Sequence, residues 1–370
     1  MSRPQRSPAP ATDDAAGATV LLTGAGTPGA AGILTGIERS GLRTTLVGAD
    51  AHEDAYGFAM VDESYAVPHG RAEGYLDSVR DLVAREAVDV IFPTERDDLE
   101  PLAEAKAEFA DRGVTVMVSD PDPLSIASER GRLYRFLERN QFAAAPDFGC
   151  VDERDDFVAA VERLGYPERP VRIARSGDDE ADGVRILRST ADRTELPAES
   201  RPGTLETTLE TVLAITDELS TFPEFVVMEH LPGPEYGVDI VATDVAVPAV
   251  VARRRERTSA GATVAGTVEY DERLIANARA IVAALDLEYN VTLRFRYDAD
   301  DRPKLVEIAP YVSGSISLSV GAGANLPAMG LRHALDRPVE EPDVAWGTSM
   351  RRYWQELIET PAGRTVTLRQ

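Results

Sequence analysis

The chain of 370 residues has little cysteine and almost no lysine: Cys150 is the sole thiol, and Lys106 and Lys304 are the only lysines. One thiol excludes an internal disulfide and any metal site built from several cysteines. No stretch approaches the roughly 18 apolar residues that a membrane-spanning helix needs, which argues against a membrane protein. Residues 1–17 contain Arg3 and Arg6 but no apolar run of the kind a secretory leader carries, so this segment is expected to be a flexible tail and the protein cytoplasmic. Positive charge is also scarce, with 39 basic residues against 63 acidic ones and a formal net charge of −24. That balance excludes a protein whose main task is to hold a nucleic-acid backbone, because such affinity comes from clustered basic residues. The other 37 basic residues are arginines. An acidic, lysine-poor chain suits concentrated salt, where charges are screened over roughly 3 Å at 1 M, and a halophilic setting is expected. In this composition any site that relies on lysine must manage with arginine.

What remains is ordinary for a folded protein. Hydrophobic residues make up 43% of the chain, enough for a sizeable core, and the length predicts two or three domains. From Ala18 the pattern runs apolar strand, glycine turn, helix, strand (TVLLTGAG, TPGAAGILTGIERSG, LRTTLVGAD), with further strands at VDVIFPT and VTVMVSD. Short buried strands alternating with helices predict βαβ units on a parallel sheet over 18–122, closed by the breaker Pro121-Asp122-Pro123. Residues 123–222 are read as a second region. It holds a helix SERGRLYRFLERNQ, strands PVRIAR and VRILRS around a loop from Ser176 to Gly183, and a polar stretch leading into another helix. Residues 223–340 are strand-rich and end in the hairpin NVTLRFRYD–ADD–RPKLVEIAP and a helix near Leu326–Leu335. An extension over 341–370 completes the chain, and no internal repeat is visible.

Three motifs carry chemistry. Gly24-Ala-Gly26-Thr-Pro-Gly29 is a G-x-G-x-x-G turn between a strand and a helix, with Asp50 placed after the next strand. This spacing is that of a dinucleotide site with an acidic residue for the ribose, and equally that of a tight strand–helix turn binding nothing. In Phe225–Asp239 a strand runs into Leu-Pro-Gly-Pro and restarts at Glu235. The backbone of Met228, Glu229, His230 and Leu231 can then face a flat heterocycle and Glu235 a sugar; an ordinary β-turn with a solvated glutamate is the plainer alternative. Third, Glu307 lies inside the apolar strand around Leu305, Val306 and Ile308, where a carboxylate must be paired or hold a cation. Alternation predicts that Leu305, Glu307 and Ala309 share one face and that Arg294 lies across the hairpin, so a salt bridge competes with a metal. Of Arg253, Arg254, Arg255 and Arg257, the odd-numbered residues point one way and Arg254 the other.

In this order the features resemble the ATP-grasp superfamily, in particular its carbamoyl-phosphate-synthase-like members, from Ala18 to about Leu335. The resemblance implies an α/β and α+β protein in which a Rossmann-like pre-ATP-grasp domain precedes a two-lobed ATP-grasp domain. It implies ATP and Mg2+ as cofactors, and small-molecule carboxylate and amine substrates joined through an acyl phosphate, without nucleic acid or membrane; a homo-oligomer stays open. Arg130 and Arg172 take the places of lysines on the nucleotide. Met228, Glu229, His230 and Leu231 form the adenine hinge, Glu235 meets the ribose, Glu307 is the metal ligand, and Arg254 and Arg294 are the candidate catalytic residues.

The departures are specific. Arg294 stands where a metal-binding glutamine is expected, Ala309 replaces an asparagine and Tyr311 an arginine. The loop over the phosphates carries Asp178, Asp179, Glu180 and Asp182, like charges that repel a triphosphate unless they face outward. Three functions follow: an ATP-dependent carboxylate–amine ligase, a non-catalytic nucleotide- or ligand-binding protein of the same fold, and a nicotinamide oxidoreductase using Gly24–Gly29. The first is taken as the working expectation.

Overall fold

The computed structural model describes residues 17–176, 183–189, 206–259, 262–353, 357–359 and 365–367. The acidic loop residues Asp178, Asp179, Glu180 and Asp182 and the polar stretch 190–205 lie outside the described residues.

The first 120 residues alternate strands and helices: β1 (Ala18–Thr23), α1 (Ala30–Glu38), β2 (Thr44–Asp50), β3 (Glu63–Ala66), α2 (Tyr75–Glu86), β4 (Val90–Pro93), α3 (Arg96–Glu104), α4 (Lys106–Ala110) and β5 (Thr115–Val116). The strands form a parallel sheet in the order β3-β2-β1-β4-β5. Val20, Leu21, Leu22, Val90, Ile91 and Phe92 are buried, as expected for parallel strands covered on both faces. Pro121, read from the sequence as a breaker, instead occupies the first turn of α5 (Pro121–Ser128), where a missing N–H costs nothing; α6 (Arg130–Arg139) follows.

Next come β6 (Phe148–Val151), α7 (Arg154–Arg163), β7 (Val171–Arg175), β8 (Val184–Leu187), β9 (Glu206–Thr207), α8 (Leu209–Thr216) and β10 (Phe225–Glu229). Their sheet runs β6-β10-β7-β8-β9. The last part contains β11 (Glu235–Ala242), β12 (Ala249–Ser259), β13 (Ala262–Val268), α9 (Glu272–Leu285), β14 (Tyr289–Tyr297), β15 (Pro303–Ala309), α10 (Ser317–Gly321), α11 (Leu326–Ala334) and β16 (Ser349–Arg351). A six-stranded antiparallel sheet orders them β15-β14-β11-β12-β13-β16, and β17 (Leu357–Glu359) pairs with β18 (Thr365–Thr367). β13 has no counterpart in the sequence reading.

Alternation divides the central sheet into two faces. Val238, Ile240, Ala252, Leu293, Phe295, Leu305 and Ile308 pack with Leu274, Ala278, Ile281 and Val282 of α9 in one core. Val241, Ala249 and Val251 face the other way and join Val20, Leu22 and Ile33 of the first domain in a second core. The two halves are held in close contact at α1. A Cβ on Gly32 would lie 2.5 Å from Ser317 Oγ, and one on Gly29 3.1 Å from the Ser313 carbonyl oxygen. Asn325 Nδ2 donates to the Gly36 carbonyl at 2.7 Å.

Candidate functional site

Residues of β11, β12, β14 and β15 build the site, beside the segments Thr27–Gly29 and Thr94–Asp97 of the first domain. Their register sets Glu235 opposite Arg296, Gly237 opposite Arg294 on one side and Arg253 on the other, and Arg294 opposite Glu307. A bulge in β15 breaks the alternation expected for the hairpin, since Arg294 faces Glu307 while its neighbour Phe295 already faces Leu305. Leu305 and Ile308 therefore enter the core with Phe295, whereas Glu307 and Ala309 line a cavity. The expectation that Leu305 shares a face with Glu307 is corrected accordingly.

At the base lies a closed ion pair. Arg253 Nε donates to Asp239 Oδ2 at 2.5 Å and its Nη2 to Oδ1 at 2.6 Å, with both residues 1% exposed. Ser319 Oγ and Thr292 Oγ1 donate to the same carboxylate at 2.6 and 3.2 Å, and Arg253 Nη2 reaches Ser313 Oγ at 3.1 Å. The absent side chain at Gly237 leaves room for this guanidinium, because a Cβ there would come within 2.9 Å of Arg253 Nη2.

Above it, one carboxylate is shared by three arginines. Glu235 lies 3.2 Å from Arg255 Nε, 3.7 Å from Arg294 Nε and 3.0 Å from Arg296 Nε. Burial pushes the Glu235 carboxyl up, but Arg255, Arg294 and Arg296 together hold it below the usual glutamate range. Burial and the neighbouring Arg294 draw Arg255 down to about 10, which still leaves it charged at neutral pH. Glu307, 5% exposed, is in contact with Arg294 Nη2 and lies 3.8 Å from Arg130 Nη2. The ion pair across the hairpin, one of the two readings open from the sequence, is thus present.

The positions named from sequence separate into two groups. Arg130, Arg172, Glu235, Arg294 and Glu307 converge, with Arg172 coupled electrostatically to Arg130, Arg296 and Glu235. Arg254 does not join them: its side chain is 48% exposed and approaches Glu269 at 3.8 Å on the opposite face, as alternation of β12 requires. Arg253 and Arg255 line the cavity of Glu307 and Ala309 instead. Met228 sits inside β10 between β6 and β7, its side chain in the core beside the Tyr134 hydroxyl. Glu229 Oε1 accepts from the Asp147 backbone N–H at 2.9 Å, so this side chain braces the strand. His230 and Leu231 lie beyond the strand end, and Arg296 Nη1 donates to the Leu231 carbonyl at 3.1 Å. Burial, reinforced by Arg172, Arg188 and Arg296, draws the His230 imidazole down to about 4.

The glycine turn has a different use from the dinucleotide fingerprint. Gly26 N–H donates to Asp50 Oδ2 at 2.6 Å and His52 N–H to Oδ1 at 2.8 Å, so the carboxylate expected at a ribose closes its own turn. Gly24 adopts φ +71°, and Gly29 receives the Ser313–Gly314 loop.

Two cavities of about 410 Å3 each meet here. One is lined by Arg130, Arg175 and Val226, the other by Thr27, Arg253, Arg255, Arg294 and Ser313; Arg96, Asp97 and Glu307 belong to both. Six arginines (130, 172, 253, 255, 294 and 296) thus gather around Glu235, Asp239 and Glu307, while Glu95, Asp97, Glu100, Glu104, Asp122 and Glu129 also line the two cavities. Among the described residues, Arg130 Nε, Arg172 Nε and His230 Nδ1 are buried without a hydrogen-bond partner. Buried donors left in this way are satisfied by the acceptors of a ligand, and guanidiniums match phosphate and carboxylate oxygens, so the residues fit a nucleotide's anionic end. They do not fit magnesium. Glu307 is in contact with guanidinium groups, Ala309 supplies no ligand, and among the described residues no three His, Cys, Asp or Glu side chains group as a metal site.

Two stretches of the chain match models of known families. Residues 221–356 match the family described as ATP-grasp in the biosynthetic pathway with Ter operon, and residues 20–117 match the PylC-like N-terminal domain. Among solved structures, the chain is similar to an N5-carboxyaminoimidazole ribonucleotide synthetase in complex with ADP, at 16% identity and TM-score 0.65, covering 89% of this chain and 79% of that one. It is similar to biotin carboxylase from Campylobacter jejuni in a β,γ-ATP complex, at 14% identity and TM-score 0.65, covering 88% and 73%. An L-amino acid ligase from Bacillus licheniformis is similar at 14% identity and TM-score 0.64, covering 94% and 84%. No curated protein sequence matches the chain. No helix among the described residues is long and apolar enough to cross a membrane.

Proposed function

We propose that this protein is an ATP-dependent ligase that joins a small carboxylate to an amine. The observation that carries the reading is that Arg130, Arg253, Arg255 and Arg294 line two adjoining cavities, in a fold shared with an ADP-bound synthetase and an amino acid ligase. Arg130 and Arg172, with their unsatisfied Nε groups, bind the phosphates. Arg255 and Arg294 hold the carboxylate substrate in the second cavity, against the Ser313–Gly314 loop that Arg253 braces. A carboxylate oxygen attacks the γ-phosphorus and ADP leaves with the electron pair of the broken P–O bond. The amine nitrogen then attacks the acyl carbon, inorganic phosphate departs, and the nitrogen loses a proton. Both steps build negative charge on oxygen, which fixed guanidiniums in a part-buried cleft stabilise without reorganising.

A second reading has its own support. Arg294 contacts Glu307, which lines both cavities, and so occupies the carboxylate that a metal would use, which favours a protein that binds nucleotide without turnover. ADP release in a screen of carboxylates crossed with amines, run in molar KCl, separates the two. Release that requires both substrates supports the ligase; ATP binding with no release across the screen supports the binder.

A further inference from the structure

The mismatch between this cleft and magnesium is itself informative. Phosphoryl-transfer sites neutralise a triphosphate either with a divalent cation, held by one or two carboxylates and the phosphate oxygens, or with arginine and lysine clamps. Here Glu307 is buried against Arg294, with Arg130 on its other oxygen. A cation drawn to Glu307 would enter among Arg130, Arg294 and the nearby Arg255, all of like charge. The arrangement follows from the backbone, because β14–β15 register and the bulge at Val306 set Arg294 opposite Glu307. Gly237, across from Arg294 on β11, contributes no side chain that could supply an oxygen.

We infer that this cleft binds a triphosphate without a divalent cation, with the Arg294 guanidinium standing against Glu307 where a metal ion would otherwise bridge protein and phosphate. The inference rests on the nucleotide reading given above. A guanidinium presents several N–H donors in a planar fork and keeps its charge, so Arg294 can bridge Glu307 and a phosphate oxygen as a metal would, but with hydrogen bonds. The buried Nε groups of Arg130 and Arg172 supply further donors.

Calorimetric titration of the full chain with ATP, in molar KCl containing EDTA or saturating MgCl2, tests this directly. The dissociation constant in EDTA is expected to match that in magnesium within about threefold, or to be the tighter of the two. Binding that weakens by about tenfold or more in EDTA overturns the inference while leaving the nucleotide reading intact. No binding under either condition overturns both. Two further measurements use Arg294→Gln and Mn2+ as a spectroscopic probe. The parent chain is expected to show no Mn2+ binding at the cleft. The variant, with Glu307 released, should lose about tenfold in ATP affinity in EDTA and regain it in part when magnesium is added. Unchanged affinity of a folded Arg294→Gln in EDTA, or tight Mn2+ binding by the parent, overturns the proposal; should the variant not fold, the EDTA comparison on the parent chain decides.

Discussion

Arg253 and Asp239 form a two-bond ion pair, at 2.5 and 2.6 Å, between neighbouring strands of the central sheet, and neither residue meets solvent. Breaking a buried pair from one side leaves a charge without compensation, so Arg253→Met is expected to destabilise the fold by about 3–5 kcal/mol. The double variant Arg253→Met/Asp239→Leu should lose much less than the sum of the single changes. Denaturant unfolding of the four proteins in the cycle checks this, and additive losses would show that the pair is not coupled.

Glu235 is the common partner of Arg255, Arg294 and Arg296, so its loss acts on charge as well as on shape. Glu235→Gln should lower the unfolding free energy by about 2–4 kcal/mol, because three guanidiniums then share a buried end without a carboxylate. If Glu235 also meets the sugar of a nucleotide, the same variant binds ATP more weakly despite the added positive charge. If the carboxylate serves only to hold the arginines, ATP binding tightens. Titration with ATP at fixed salt reads the sign.

The His230 imidazole is drawn down to about 4 by burial and by Arg172, Arg188 and Arg296. It is therefore neutral near pH 7. Since the unfolded chain protonates near 6.5, its contribution to stability is complete above that pH and falls as pH drops from about 6.5 to 4. Proton NMR titration of the folded protein should find the His230 midpoint near 4, and Arg172→Met should move it upward. A midpoint near 6.5 in the parent would contradict the buried, arginine-flanked placement.

Asp98 in α3 is buried beside Thr23 and Tyr75, and burial pushes its carboxyl up to about 6. A raised folded value means that stability is fully present below the unfolded value near 3.8 and is lost as pH rises through about 6. Asp98→Asn removes that loss. Relative to the parent, the variant should be about 2–3 kcal/mol more stable at pH 7 than at pH 3.5, an upper bound set by a shift of roughly two units. Guanidinium unfolding at the two pH values measures it, and an equal difference at both would show that Asp98 titrates normally.

Much of the architecture is legible from one-dimensional pattern. The apolar runs TVLLT, TTLVG and VIFP specify parallel strands because both their faces must be covered, and β14 reads as a half-buried strand from the alternation in VTLRFRY. The same alternation places Arg294 and Arg296 on one face and Arg253 and Arg255 on another strand's matching face. It does not say which strand face borders the cleft, so the sequence alone does not separate Arg254 from Arg253 and Arg255. Nothing local marks Asp239 as the partner of Arg253, since the two are joined only by the β11–β12 register.

By itself the sequence determined the order of elements, the scarcity of lysine beside arginine and the likeness to ATP-grasp proteins, because these depend on local periodicity, composition and motif spacing. Only the tertiary structure decided how each charge is used. Asp50 closes the glycine turn, Glu229 braces a strand, and Glu307 meets a guanidinium across a bulge. The reason is physical: a buried charge takes its role from whichever opposite charge or donor folding brings to hydrogen-bond distance, and strand register, not spacing along the chain, sets that distance.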